Sequence, residues 1–235
     1  MNSDYAIILN FNITNEQNLD TDDLVKVARN IGVRAVSGPE ILKDACQKYT
    51  INLSEPKNGE DLTADNVIDE MMQNRKNGKQ TIINITVDED GKINSASQEL
   101  LDKINNWMHM FGHAFNEGHP CNLEVDQDGF VLENHHADYQ KYVFLKSPLP
   151  KEIVISGLEQ EPNRVEWVEN RIDLDYSFKN HALKIKLEEP ADNFKWQVLR
   201  IQAHRPEDDI KETKFLKNKV SLKNNFPKLT FLSYS

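Results

Sequence analysis

Apolar residues along this chain follow two regimes. Up to Gly118 they form continuous runs that alternate with stretches of three-four spacing, and beyond it they form short alternating runs. Residues 5–11 (YAIILNF) are unbroken, as in a strand buried on both faces. Asp20 or Thr21 is placed to cap a helix with Leu24, Val25, Val27, Ala28 and Ile31 inward. Asp22 and Asp23 stand in its first turn, where the helix dipole favours acids. Gly32 ends that helix, and residues 33–36 predict a second strand. Pro39 opens a helix over residues 39–47, with Ile41, Leu42 and Ala45 inward. Residues 50–53 suit a short strand. Thr63 caps a helix to Arg75, stopped by Asn77-Gly78, and residues 80–87 (QTIINITV) give another apolar strand. Such alternation argues a parallel sheet covered by helices.

Asp90-Gly91 makes a turn, after which Ser95 or Ser97 caps a long amphipathic helix. Its stripe is Leu100, Leu101, Ile104, Trp107, Met108 and Phe111, and Gly112 suggests its end. Short strands follow at 123–125, 130–132, 142–145, 153–156, 165–168, 172–176, 183–187, 196–201 and 228–232. Their spacing predicts an antiparallel sandwich. The boundary falls within 116–120, dividing the chain into an α/β domain of residues 1–117 and a β-sandwich of residues 118–235. The echo of VDEDGKI (87–93) in VDQDGFV (125–131) is turn chemistry and not duplication.

Composition narrows the function classes. With 235 residues, 38% hydrophobic and 28% charged, the chain has the makeup of a soluble globular protein. A net charge of −10 argues against nucleic acid or an anionic membrane as a partner. Against that background Lys211, Lys214, Lys217, Lys219, Lys223 and Lys228 face only Glu212, which reads as a solvated edge or tail. Residues 5–9 are too short for a signal-peptide core, so a cytoplasmic location is expected. Cys46 and Cys121 form no motif and are expected as reduced thiols. There is no phosphate-cradling glycine loop, G-x-S-x-G elbow or CxxC pair, and no cofactor is expected.

Residues 66–118 carry a family resemblance. Residues 67–72, Gly78, 81–87 and Asp90-Gly91 are followed by Ile104, Trp107 and 111–115 (FGHAF). This order resembles the last βα unit of the alpha-L-fucosidase barrel, glycoside hydrolase family 29. There a strand reading like LLLNIGP leads to a DG turn, an I..W helix and an NGEAIY close. Residues 142–145, 153–158, 165–167, 183–187 and 196–201 look like that family's sandwich. The resemblance covers about two-thirds of the chain.

The departures shape the expectation. Thr86-Val87 stands where the family has glycine-proline. Ser37-Gly38-Pro39 stands where its histidine pair and aspartate-glycine belong. A full barrel takes about 250 residues, and the strands bearing the family's nucleophilic aspartate have no counterpart. The resemblance therefore implies an α+β two-domain chain. An open parallel sheet, the remnant of a TIM barrel, is followed by an antiparallel β-sandwich. It implies a fucosidase-like protein without the catalytic carboxylates, acting as a carbohydrate-related or assembly module. The alternative is an active glycoside hydrolase with carboxylates recruited from elsewhere, such as Asp88 with Glu124, or from a second subunit. Open sheet edges allow a homo-oligomer, or coverage of an edge by residues 220–232.

Candidate chemistry is sparse. In a parallel sheet the site lies at the strand carboxyl ends. Those ends offer Asn10, Asn12 and Asn84, amides that suit either a sugar or one another, with Asp88 as the carboxylate. His135 and His136 lie in a loop with Asn134 and Asp138, either a surface cluster or a small polar ligand site. His109 and His113 are four apart on the long helix. They are the metal candidates, although Met110 stands where a zincin places its glutamate. Glu124, Asp126 and Asp128 resemble half a calcium loop, but the twelfth position is His135. Trp107, Trp167 and Trp196 lie in apolar patterns that suit core packing better than sugar stacking.

Overall fold

The computed structural model describes residues 5–203. The lysine-rich stretch and the strand expected at 228–232 lie outside the described residues. The first layer is a parallel sheet of β1 (Ile7–Ile13), β2 (Ala35–Ser37), β3 (Asn52–Ser54) and β4 (Thr81–Val87), in the order β3-β2-β1-β4. Between and after these strands run α1 (Thr21–Asn30), α2 (Lys43–Tyr49), α3 (Val67–Lys76) and α4 (Ser95–Glu117). Asp20 caps α1 by accepting from the Asp23 N–H at 3.0 Å.

Strand side chains alternate between faces, and here the two faces differ in kind. Ile7, Leu9, Phe11, Val36, Ile83 and Ile85 share one apolar core with side chains from all four helices. The other face carries Ile8, Asn10, Ala35, Ser37, Ile82 and Asn84. The chain itself crosses this second face. It leaves β3 at one edge of the sheet, and Glu60 then bridges Ile83 on the far side of β4. The Glu60 N–H donates to Ile82 O at 2.7 Å, and the Asn84 N–H donates to Glu60 O at 3.0 Å.

The remaining strands form two antiparallel sheets. One has the order β10 (Arg164–Trp167), β13 (Trp196–Gln202), β8 (Ala137–Lys146), β7 (Gly129–Asn134), β5 (Gly118–Pro120). The other runs β11 (Tyr176–Lys179), β12 (Ala182–Lys186), β9 (Glu152–Ser156), β6 (Glu124–Val125). Phe130, Phe144, Trp196 and Val198 of the larger sheet join the helix-side core, where Trp107 lies 5.3 Å from Phe111 and 6.4 Å from Phe144. Val143, Leu145, Leu199 and Ile201 face the smaller sheet and build a second core with Ile153, Ile155, Leu183 and Ile185. All three tryptophans are core residues.

Several local expectations are corrected. The helix expected at 39–47 is a 3-10 turn, Glu40–Leu42, followed by α2. The tighter winding leaves Ile41 42% exposed. The cap of α4 is Asn94, whose side chain accepts from the Ser97 N–H at 2.8 Å. The helix runs through Gly112 to Glu117, because the missing Cβ gives room to Met108, whose Cε would lie 3.2 Å from it. The strand expected at 172–176 starts only at Tyr176, since Arg171 at φ 63 reverses the chain and leaves Ile172 50% exposed.

Candidate functional site

Pairing register places Ser54, Ser37, Asn10 and Asn84 side by side, one from each parallel strand. They form a polar row across the face opposite the helices, towards the strand carboxyl ends. Asn10 is 4% exposed and is the hub of the row. Its Oδ1 accepts from the Ser37 hydroxyl at 2.6 Å and from the Lys57 N–H at 3.3 Å. Its Nδ2 donates to Asn84 Oδ1 at 2.8 Å and to Asn12 Oδ1 at 3.0 Å. Asn84 Nδ2 in turn donates to Asp61 Oδ1 at 2.7 Å and to Gly59 O at 3.0 Å. Asn10 thus bonds both of the other asparagines, and residues 57–61 lie against the row as a strap.

The row is rich in donors and acceptors and poor in acid–base groups. Its amides and hydroxyls can hold polar groups but transfer no proton near neutrality. The carboxylate bonded to it is Asp61, on the strap. Sequence reasoning missed it, because nothing in residues 55–62 signals that the loop returns across the sheet. Asp88 lies beyond, in the turn where its N–H donates to Lys92 O and its carbonyl accepts from Gly91, and it is exposed. Glu124 is exposed on β6, in the smaller antiparallel sheet.

A second polar group sits by the strand amino ends. A pocket of about 120 Å³ is lined by Tyr5, Arg34, Arg75, Glu117, His135 and His136. The Arg34 guanidinium bonds the Glu117 carboxylate, and His136 Nε2 lies 3.4 Å from it. Burial works to raise the Glu117 carboxyl, but Arg34, with His113 and His136, holds it below the usual range. His119 and His135 face each other edge-on at 5.7 Å. His109 and His113 are exposed on α4, and His113 meets the Tyr142 ring at 6.4 Å. Among the described residues, no three His, Cys, Asp or Glu side chains gather in a way that could hold a metal ion.

No family model matches this chain, and no curated protein matches it. Solved structures do match. An alpha-L-fucosidase of glycoside hydrolase family 29 from Bacteroides thetaiotaomicron is 15% identical, with a TM-score of 0.52, over 76% of this chain and 38% of that one. A trapped covalent intermediate of such an enzyme from the same organism gives 16% identity and a TM-score of 0.51 over 72% and 37%. The Thermotoga maritima alpha-fucosidase bound to fucose gives 12% and 0.50 over 77% and 55%. The chain therefore spans between about a third and just over half the length of the structures it matches. At these identities the likeness concerns the fold: mixed α/β, with one parallel and two antiparallel sheets, similar to part of the family 29 alpha-L-fucosidases.

Proposed function

We propose that this chain is a shortened fucosidase-like module whose parallel layer is the remnant of a TIM barrel. In this reading it hydrolyses no glycoside and serves a carbohydrate-related binding or assembly role. One observation carries it: the polar row Ser37–Asn10–Asn84 is bound by the chain's own strap at Lys57, Gly59 and Asp61. A retaining glycosidase needs two carboxyls about 5 Å apart, facing the sugar. Here the row presents amides to a strap, and the carboxylate bonded to it, Asp61, is held by Asn84. Four parallel strands among the described residues, against the eight of a closed barrel, support a deletion inside the ancestral barrel.

The test is incubation of the full chain with an aryl alpha-L-fucoside. No release of the aryl group above the protein-free rate is expected. Turnover abolished by Asp61→Asn or Asp88→Asn would overturn the reading and favour an active hydrolase. The assembly role rests on β3, which ends the parallel sheet and offers an edge to a second copy. Light scattering on the eluting protein would reveal such a homo-oligomer. A net charge of −10 speaks against nucleic acid or membrane as its partner.

A further inference from the structure

The chain contains two Asn-Gly pairs, Asn58-Gly59 and Asn77-Gly78. Glycine lacks the Cβ that elsewhere keeps a backbone nitrogen away from the preceding side chain, so an Asn-Gly pair can close on itself into a cyclic imide, a succinimide. Closure needs an amide side chain at liberty to turn and a glycine nitrogen not engaged as a donor. The two pairs differ on both counts. Asn77 caps the C-terminus of α3, and its Nδ2 donates to Gln73 O at 2.7 Å. The Gly78 N–H donates to Arg75 O at 3.0 Å. Asn58, by contrast, lies exposed on the strap. Among the described residues, nothing hydrogen-bonds its side chain or the Gly59 N–H.

We propose that Asn58 is a site of spontaneous deamidation whose conversion unfastens the strap from the polar row. The Gly59 nitrogen gives its proton to solvent base and bonds to Asn58 Cγ. The Cγ–Nδ2 bond breaks, and Nδ2 leaves as ammonia. Water then opens the ring. Breaking the new bond to Cγ gives aspartate, and breaking the original peptide bond gives isoaspartate, whose main chain runs through Cβ and Cγ. One water is taken up and one ammonia is lost, with no oxidant or reductant. Either product adds a negative charge to a segment that already sets Glu55, Glu60 and Asp61 against Lys57. Isoaspartate also lengthens the main chain by a methylene between two anchors. On one side the Lys57 N–H donates to Asn10 Oδ1 at 3.3 Å, and on the other Gly59 O accepts from Asn84 Nδ2 at 3.0 Å. Gly59 has no slack, since even a Cβ there would stand 3.1 Å from the Asn84 backbone nitrogen. The added length must lift an anchor and uncover Asn10 and Asn84. This conversion depends only on the strap and the row, not on what the row binds.

Peptide mapping by mass spectrometry, on the full chain aged in warm, mildly alkaline buffer, follows both asparagines. Asn58 is expected to convert at least about tenfold faster than Asn77, whose helix cap must open first. Electron-transfer fragmentation distinguishes isoaspartate from aspartate in the product. Amide exchange on the aged chain then reads the strap. The Glu60 and Asn84 amides, bonded to Ile82 O and Glu60 O, should exchange at least about tenfold faster than in the fresh chain. Asn58→Gln, whose longer side chain closes a ring far more slowly, should stay intact through the same ageing and keep the protection of the fresh chain. Asn58 that survives, or converts no faster than Asn77, would overturn the site. Conversion with unchanged Glu60 and Asn84 exchange would overturn the release of the strap, and so would an equal loss of protection in the aged Asn58→Gln chain.

Discussion

The indole Nε1 of Trp196 donates a 2.7 Å hydrogen bond to Oδ1 of Asp69. This contact joins α3 of the parallel layer to β13 of the larger antiparallel sheet, across 127 positions of sequence. The same carboxylate takes Lys195 Nζ at 2.6 Å on Oδ2, with Lys146 Nζ at 3.4 Å. Burial works to raise the Asp69 carboxyl, but the Lys195 and Trp196 hydrogen bonds and the lysine charges outweigh it and hold it low.

Asp69→Ala leaves the Trp196 N–H, on a residue only 6% exposed, without its acceptor. The Asp69 side chain is itself 30% exposed, which screens the lysine pairs. A loss of about 1–2 kcal/mol is expected in urea unfolding. Because the folded carboxyl is depressed, its contribution is present above the unfolded value of about 3.9 and fades as pH falls through the folded one. Below about pH 4 the variant and the parent should therefore converge. A constant gap down to the acid transition would show that packing, and not the charge, is responsible.

Asn10 offers the second prediction. Asn10→Leu removes the acceptor of the buried Ser37 hydroxyl and the donor to Asn84 together. It leaves the fully buried Ser37 hydroxyl without its acceptor and Asn84 Oδ1 without its donor. A destabilisation of about 2–4 kcal/mol follows, read as a lower urea midpoint. Asn10→Asp, which keeps Ser37 bonded but can no longer donate to Asn84, should cost less than the leucine change if the Ser37 bond dominates.

The layers were legible in the sequence because periodicity reports burial directly. Ile7, Leu9 and Phe11 of the run 5–11 lie in the helix-side core with the stripe from Leu100 to Phe111, and Ile8 and Asn10 are buried on the other face of the sheet. The asparagines were legible as strand-end residues, and their lateral pairing follows from register, which no single strand encodes. Asp61 escaped for a different reason: its partner is set by where the loop returns, and loop residues carry no period.

The two cysteines give a third prediction. Cys46 is 2% exposed, and burial pushes its thiol up to about 11. At pH 7 roughly one part in ten thousand is thiolate, so access and ionisation both oppose alkylation. Cys121 is half-buried and also raised, by burial first, with its Sγ 3.7 Å from Val131 O. Iodoacetamide on the native chain should modify Cys121 first and Cys46 only at denaturant concentrations that unfold the sheet. Equal rates, followed by mass spectrometry, would mean that the α2 packing opens below the global transition.

Gly59 decides whether the strap can lie on the polar row. A Cβ placed there would meet the Asn84 side chain, with Cγ at 3.0 Å, and would stand 3.1 Å from the Asn84 backbone nitrogen. Asn84 cannot turn away cheaply, since it holds Asn10 on one side and Asp61 on the other. Nor can the β4 backbone move without breaking its seven-residue register with β1. Gly59→Ala must therefore lift the strap, at a cost of about 1–3 kcal/mol for the strain and the bonds lost. Because the helix-side core is on the opposite face, the parallel sheet itself should persist. Amide exchange separates these outcomes: the Glu60 and Asn84 amides, bonded to Ile82 O and Glu60 O, should lose protection while the β1 amides keep theirs. Loss of protection in β1 as well would mean that the strap is part of the sheet's cooperative unit and not a cover laid upon it.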